Sequence, residues 1–301
     1  FGLPRCKRQR KGFLMIDHSR NATTTMVGQA TATVIEDTMS PSGVRLITLE
    51  LVYPRYIHSE LMTHRMFSRN ASSSRATPLQ VNLDEVCLDP VFFDFVGKNQ
   101  KGMVATEPLN DVLVDDFKTD WESLGIMVAS HVAKMNEKYG IHKQTLNRAL
   151  EPWLRIHTLV TATEWENFFK LRLSPNAQPE IQSLARAMHE AMGKSEPKGG
   201  VFHVPYLKFH EQKELKVVDA YKVSAARCAR VSYARHDGRE TTTEEDLKLA
   251  RNLFDAGHMS PFEHAAMWGL DSDPYEFHYN LRGWQSVRYQ AENDLLPKEW
   301  W

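Results

Sequence analysis

The chain has 301 residues, 42% of them hydrophobic, with 37 Lys and Arg against 38 Asp and Glu. That length suffices for one large domain or two ordinary ones, and for a substantial buried core. A formal net charge of −1 supplies no overall pull toward nucleic acid or anionic lipid, so any basic site is local. The three cysteines, Cys6, Cys87 and Cys228, are far apart and form no C-x-x-C. This pattern reads as a reducing, cytoplasmic protein without disulfides or a thiolate metal site. No apolar run reaches membrane-spanning length, and no secretory leader is expected.

Residues 1–25 are poorly patterned and carry a basic run at 5–11, read as a solvated or appended tail. One domain is expected over 26–301, with a linker near 195–205 at Gly199-Gly200. Alternating β-branched residues predict a strand over 29–36, turn chemistry at Ser40-Pro41-Ser42-Gly43, and a second strand over 45–53. After Pro54 a short helix over 56–66 is expected to carry His64 and Arg65. Residues 78–102 read as irregular. Apolar spacing predicts a long helix over 110–139, ended by Gly140, and further helices over 143–151, 153–171 and from Ser174-Pro175 to Gly193. Residues 216–233 read as helix or extended chain. Another helix starts at Thr243 with acids in its first turn and ends at Gly257. Residues 264–270 read as a buried strand, and the aromatic tail with Trp284, Trp300 and Trp301 as packing on a partner subunit. The fold class is α+β, helices on a mainly antiparallel sheet.

The most informative stretch lies between Thr63 and Arg75. His64, Arg65, Ser68, Arg69, Asn70, Ser72, Ser73, Ser74 and Arg75 all offer hydrogens, and no acid lies between Thr63 and Thr77. Arginine forks and hydroxyls at this density suit an anionic, planar ligand such as a nucleotide. The pattern H-R-x-x-S-x-N-x-x-S-x-R from His64 to Arg75 resembles the signature of the flavin-dependent thymidylate synthases. It departs from that family at Thr63, Ala71 and Ala76, where Arg, Glu and Tyr are usual.

Three further segments carry the resemblance. Asn167-Phe168-Phe169-Lys170-Leu171-Arg172, followed by Ala177-Gln178-Pro179-Glu180-Ile181, is similar to the family's N-F-x-x-L-R…A-Q-x-E-I. Arg148-Ala149-Leu150-Glu151-Pro152 is similar to a segment whose Arg contacts the nucleotide. Downstream of it, Thr161-Ala162-Thr163 stands where the family often has Asn-x-Arg for flavin. Ala226 to Tyr233 and Gly257 to His264 resemble A-R-V-S-Y and G-H-x-[ST]-P-F-E-H. In relatives these two precede the signature. Here they follow it, which implies a circularly permuted or rearranged member.

The resemblance implies a thymidylate synthase-like fold, FAD as cofactor, methylenetetrahydrofolate and NADPH as co-substrates, and a homotetramer with shared sites. It implies that Glu60, Ser73, Ser74, Arg75, Arg148 and Arg172 bind substrate, and that His64, Arg65, Asn167, Ser260 and Glu263 bind cofactor. Arg172 and His258 take the catalytic roles, Arg172 at the pyrimidine and His258 beside the flavin. Neither Cys87 nor Cys228 has a nucleophilic setting, in keeping with a flavin-dependent route. His258, Glu263 and His264 lack H-E-x-x-H spacing, so no metal is expected. The function implied is C5 methylation of dUMP to dTMP. A related methyl- or hydroxymethyltransferase on dUMP or dCMP, and a non-catalytic flavin- and nucleotide-binding protein, stay open. A nucleic-acid role would have to come from the basic tail.

Overall fold

Two β-rich runs separated by a turn build the centre of the molecule. In the computed structural model, which describes residues 23–231, 241–297 and 300, β1 (Thr24–Val27), β2 (Ala30–Met39) and β3 (Arg45–Pro54) form an antiparallel meander. The β2–β3 turn closes with Gly43 at φ +79°, a left-handed conformation suited to glycine, while Ser40 Oγ accepts from Val44 N at 2.9 Å. A short 3₁₀ turn and α1 (His58–Met62) lead into β4 (Ser68–Ala71). The predicted helix over 56–66 thus ends early. Thr63 caps it, its hydroxyl donating to Glu60 O at 2.7 Å, so His64 and Arg65 lie in the turn beyond.

The irregular stretch expected at 78–102 contains α2 (Leu79–Leu88). The long helix is α3 (Asp111–Tyr139), capped by Asn110 and ended by left-handed Gly140. Then α4 (Lys143–Leu146) passes into a 3₁₀ turn, Asn147–Trp153, that accommodates Pro152. The helix expected over 153–171 is largely a strand. β5 (Arg155–Ala162) pairs with β3 on one side and β4 on the other. Ile156, Thr158, Val160 and Thr161 favour that extended geometry, and helix begins only at α5 (Glu166–Arg172). α6 (Pro179–Lys194) follows.

The sheet runs β1-β2-β3-β5-β4, and its strands alternate side chains between two faces. On β3, Ile47, Leu49, Leu51 and Tyr53 join Ile181, Leu184, Ala185 and Met188 of α6 in the main core. Leu46, Thr48 and Glu50 point the other way, toward the carboxy-terminal third. The chain returns there through β6 (Lys198–Gly199), parallel to β2, and β7 (Phe202–His203). Residues near 200, expected as a linker, are therefore paired with strands.

Next come α7 (Phe209–Glu214), α8 (Val217–Arg230) and α9 (Thr243–Asp255), so 217–230 takes the helical option. Arg227 and Arg230 both donate to fully buried Asp246, clamping α8 to α9. The strand expected over 264–270 shrinks to β8 (Ala266–Met267), followed by β9 (Phe277–His278), β10 (Leu281–Arg282), β11 (Gln285–Ser286) and α10 (Val287–Glu292). Trp284 and Trp300, expected on a partner, are buried within the chain. Trp284 Nε1 donates to Val44 O at 3.1 Å. Trp301 and most of the basic tail lie outside the described residues.

A buried chain of hydrogen bonds joins this third to the sheet. Thr38 Oγ1 meets His203 Nδ1 at 2.8 Å, and His203 Nε2 meets Thr48 Oγ1 at 2.7 Å. Thr48 Oγ1 meets Thr161 Oγ1 at 2.6 Å, and Thr161 Oγ1 meets His264 Nδ1 at 2.8 Å. Burial pushes both imidazoles from 6.5 down to about 3. Both are thus neutral when folded, and the unfolded chain binds more protons below pH 6.5. Their contribution is complete above that pH and is lost as pH falls toward 3. Each imidazole adds about 1.4 kcal/mol per pH unit to the acid slope of unfolding free energy within that window. His203→Asn should lower the slope between pH 5.5 and 4 by that amount, measured by urea titration. Equal slopes would exclude His203 as a neutral buried group.

Candidate active site

The signature occupies the turn before β4, the strand itself and the loop after it, and each part meets a different element. At the start, His64 sits over Phe168, ring centroids 4.8 Å apart and edge to face. Arg172, at the end of α5, donates from Nε to His64 Nε2 at 2.9 Å. That bond requires a lone pair on Nε2, so the proton is on Nδ1. Burial, then Arg172 and Arg69, push the His64 imidazole down to about 4. Arg172 also reaches Glu60 Oε2 at 3.4 Å and Thr63 Oγ1 at 3.2 Å. Thr63, where the signature usually has Arg, thus accepts a bond from the guanidinium. Burial raises the Glu60 carboxyl, and Arg172 opposes that rise. Glu60, His64 and Arg172 form one cluster, assembled from segments more than a hundred residues apart.

Beyond β4 the loop is held from behind. Ser72 Oγ accepts from His157 N at 3.1 Å. Fully buried Asn147 donates to Ser74 O at 2.7 Å and Thr77 O at 3.0 Å. Glu151 accepts from Ser74 Oγ at 2.8 Å and from Arg148 Nη1 at 2.9 Å, with Arg55 Nε at 3.4 Å. The Ser74 hydroxyl is therefore committed to Glu151. The absence of acids within 63–77 is partly offset from the 3₁₀ turn, which the linear pattern did not reveal. Arg75 is exposed, and among the described residues no acid pairs with it. Arg55, Arg75 and Arg148 against Glu151 leave a net positive loop.

The remaining candidates divide. Asn167 is exposed and lines a cleft of about 270 Å³ with Glu164, Glu166 and Lys170. The 3₁₀ turn Ser260–Glu263 lies against β4, and Asn70 Nδ2 donates to Cys228 O at 2.7 Å. The two displaced family-like segments therefore flank the signature strand, apart from Ser232 and Tyr233, which lie outside the described residues. Glu263 accepts from Arg288 Nη1 at 2.6 Å, whereas His264 points to Thr161. His258 and Arg65 are exposed. The His64–Arg172 cluster and the Arg75–Arg148 loop stand at opposite ends of β4, so one chain does not gather all predicted residues in one cavity. Sequence reasoning missed Asn147, Glu151 and Arg55; the only signal was Glu151 within the Arg148 segment.

The model of the family described as thymidylate synthase complementing protein matches residues 17–198. The chain belongs to this family. It is an enzyme of the flavin-dependent thymidylate synthase type, and the match ends before the two displaced segments. No curated protein matches the chain. Among solved structures, flavin-dependent thymidylate synthase ThyX from Helicobacter pylori, complexed with FAD and dUMP, is 21% identical, with a TM-score of 0.33 over 49% of this chain and 67% of that one. A UMP/dUMP methylase, PolB from Streptomyces cacaoi, bound with 5-Br UMP, is 14% identical, with a TM-score of 0.45 over 57% of this chain and 92% of that one. Both likenesses are too distant to assign ligands here. Among the described residues no helix is long and apolar enough to cross a membrane.

The Asn147 carboxamide fixes the family loop without touching its outer surface. Asn147→Leu removes the donor and leaves two carbonyls unpaired, at about 1–3 kcal/mol each. We expect denaturant midpoints to fall accordingly. Parental stability would show that the loop does not depend on this anchor.

Proposed function

We propose that the protein methylates dUMP at C5 to give dTMP, using FAD, methylenetetrahydrofolate as carbon donor and NADPH as reductant. The observation that carries this reading is the 2.9 Å bond from Arg172 to His64, which unites two separate family motifs in one cluster. Arg172 would meet the pyrimidine and stabilise negative charge on a ring carbonyl as C5 becomes nucleophilic. Neutral His64 would hold that guanidinium in plane. Arg75 and Arg148 would take the substrate phosphate, with Ser73 as a hydrogen-bonding partner.

The donor set fits a flavin. Asn167 offers a carboxamide at an open cleft, Arg65 an unburied guanidinium, and Ser260 and Glu263 line the other side of β4. When bound, the flavin supplies hydride and mediates carbon transfer, which dispenses with a cysteine nucleophile. Burial drives the Cys228 thiol far above its ordinary range, in keeping with a structural role. His258 is placed beside the flavin by resemblance alone.

We read the two clusters at the ends of β4 as parts of sites completed by other copies, in a homotetramer. Leu124, Met127 and Tyr139 leave apolar surface exposed on α3, consistent with that assembly. A single domain over 26–301 and a cytoplasmic location complete the proposal. Thr63 and Ala71 depart from the signature beside the pyrimidine cluster and in β4, which favours dCMP, or a hydroxymethyl product, as the second reading.

The purified protein should be yellow and bleach with NADPH. Mass spectrometry with dUMP and dCMP offered separately should show dTMP only. A colourless protein that retains nucleic acid would overturn the reading. Arg172→Lys keeps the charge but loses the planar fork. It should bind flavin and be reduced almost normally, yet form product about 10²–10³ more slowly in single turnover from pre-reduced enzyme. Parental single-turnover rates would remove Arg172 from the ring.

A further inference from the structure

The signature leaves the residue between Ser68 and Asn70 open, and here it is Arg69. Its side chain is half-buried and turns back along its own chain. Nη1 donates to Met62 O at 2.7 Å and to His64 O at 3.2 Å. The need for such a donor is local. α1 has only five residues, well short of the roughly 12–15 at which a helix persists unaided. Its last carbonyls lack intrahelical partners, and a guanidinium at that end both satisfies them and favours the helix dipole. β4, which carries Arg69, pairs with β5 from Ser68 to Ala71. One side chain thus ties the turn that presents His64 to the sheet.

The 2.9 Å bond from Arg172 to His64 depends on where that turn sets the imidazole. A displacement of about 1 Å stretches such a bond out of range. Arg69 also answers to the displaced carboxy-terminal segment. Burial pulls its guanidinium below the ordinary range, and the Glu263 carboxylate opposes that pull. Glu263 accepts from Arg288 at 2.6 Å, and Arg288 also donates to Glu292 at 2.9 Å. Two acids and two guanidinium groups therefore balance on that side of β4. We propose that Arg69 is a positioning residue for the reaction proposed above, holding the His64 turn in the shape that brings the imidazole to Arg172. Its effect on the rate rests on that reading, whereas its effect on the His64 ring does not.

Arg69→Met keeps the length and removes the donors, and Arg69→Lys restores a charged nitrogen with several hydrogens. Nitrogen-15 spectra of histidine-labelled protein, with His64→Asn to assign the signal, read the tautomer directly. The parent should show a protonated Nδ1 and an accepting Nε2. Arg69→Met should show averaged ring shifts, and Arg69→Lys the parental ones. In single turnover from pre-reduced enzyme at saturating dUMP, Arg69→Met should be about tenfold slower or more, with recovery in Arg69→Lys. Affinity for dUMP should stay near parental, because Arg75 and Arg148 lie at the other end of β4. A merely structural Arg69 would lower the thermal midpoint and leave ring spectrum and rate of the folded variant at parental values. That result overturns the proposal, as does a loss that lysine does not restore. If Arg69→Met fails to fold, Arg69→Gln, whose amide is too short to reach both carbonyls, is judged by the same criteria. If the parent forms no dTMP, the proposed function fails, and the ring spectrum alone decides the role of Arg69.

Discussion

Threonine hydroxyls on the face of the sheet away from α6 need partners, and two buried imidazoles supply them. Thr38, Thr48 and Thr161 form a continuous hydrogen-bonded chain with His203 and His264. Each link lies in a region where an unmade bond costs more than a made one gains. The face cannot therefore be covered by an ordinary apolar layer. It requires β7 and the turn ending at His264, which brings the carboxy-terminal third onto the sheet in one register. On the opposite face, α6 packs mainly by apolar contact, with Leu49 and Leu51 in one core with Ile181 and Leu184, and Arg45 of β3 adds a hydrogen bond to Met192 O at 3.0 Å.

The position of β4 follows from this arrangement. One edge pairs with β5, and the other side meets the Ser260–Glu263 turn, with Asn70 bonded to Cys228 O. The chain entering and leaving β4 is thereby fixed at both ends. At the entrance, Arg172 locks His64 in one tautomer. At the exit, Asn147 and Glu151 hold the serine loop from behind and leave Arg75 facing out. Charge is placed unevenly: Arg172 is matched by Glu60, and Arg75 is unmatched among the described residues. An unmatched guanidinium on a rigid loop is ready for an anion, with little reorganisation on binding.

Much of this was legible in the residues. The hairpin, α3, α6 and α9 follow from alternation, helical spacing and capping signals. The donor-rich signature was recognisable as a motif, but its first two residues, expected on a helix, lie in the turn before β4. The centre of the sheet was not legible. Residues 155–162 combine β-branched character with apolar spacing that also fits a helix, and only pairing with β3 and β4 decides between them. Glu151 escaped notice as a site acid because it approaches the loop from another segment. Trp284 was read as a subunit contact because aromatic residues near a chain end look unpartnered. Its partner, Val44, is 240 positions away. Thr63 marked a departure from the family pattern, and the structure shows the acceptor it offers to Arg172.

The central claim is that the loop after β4 is a preorganised anion site for a nucleotide. Equilibrium titration with dUMP and with deoxyuridine tests it most directly, because the two ligands differ only in the phosphate. With three arginines, Arg55, Arg75 and Arg148, around the single acid Glu151, the account predicts that dUMP binds at least about a hundredfold more tightly, with the difference shrinking as salt rises. Equal affinities for nucleotide and nucleoside, at low and high salt alike, would contradict it.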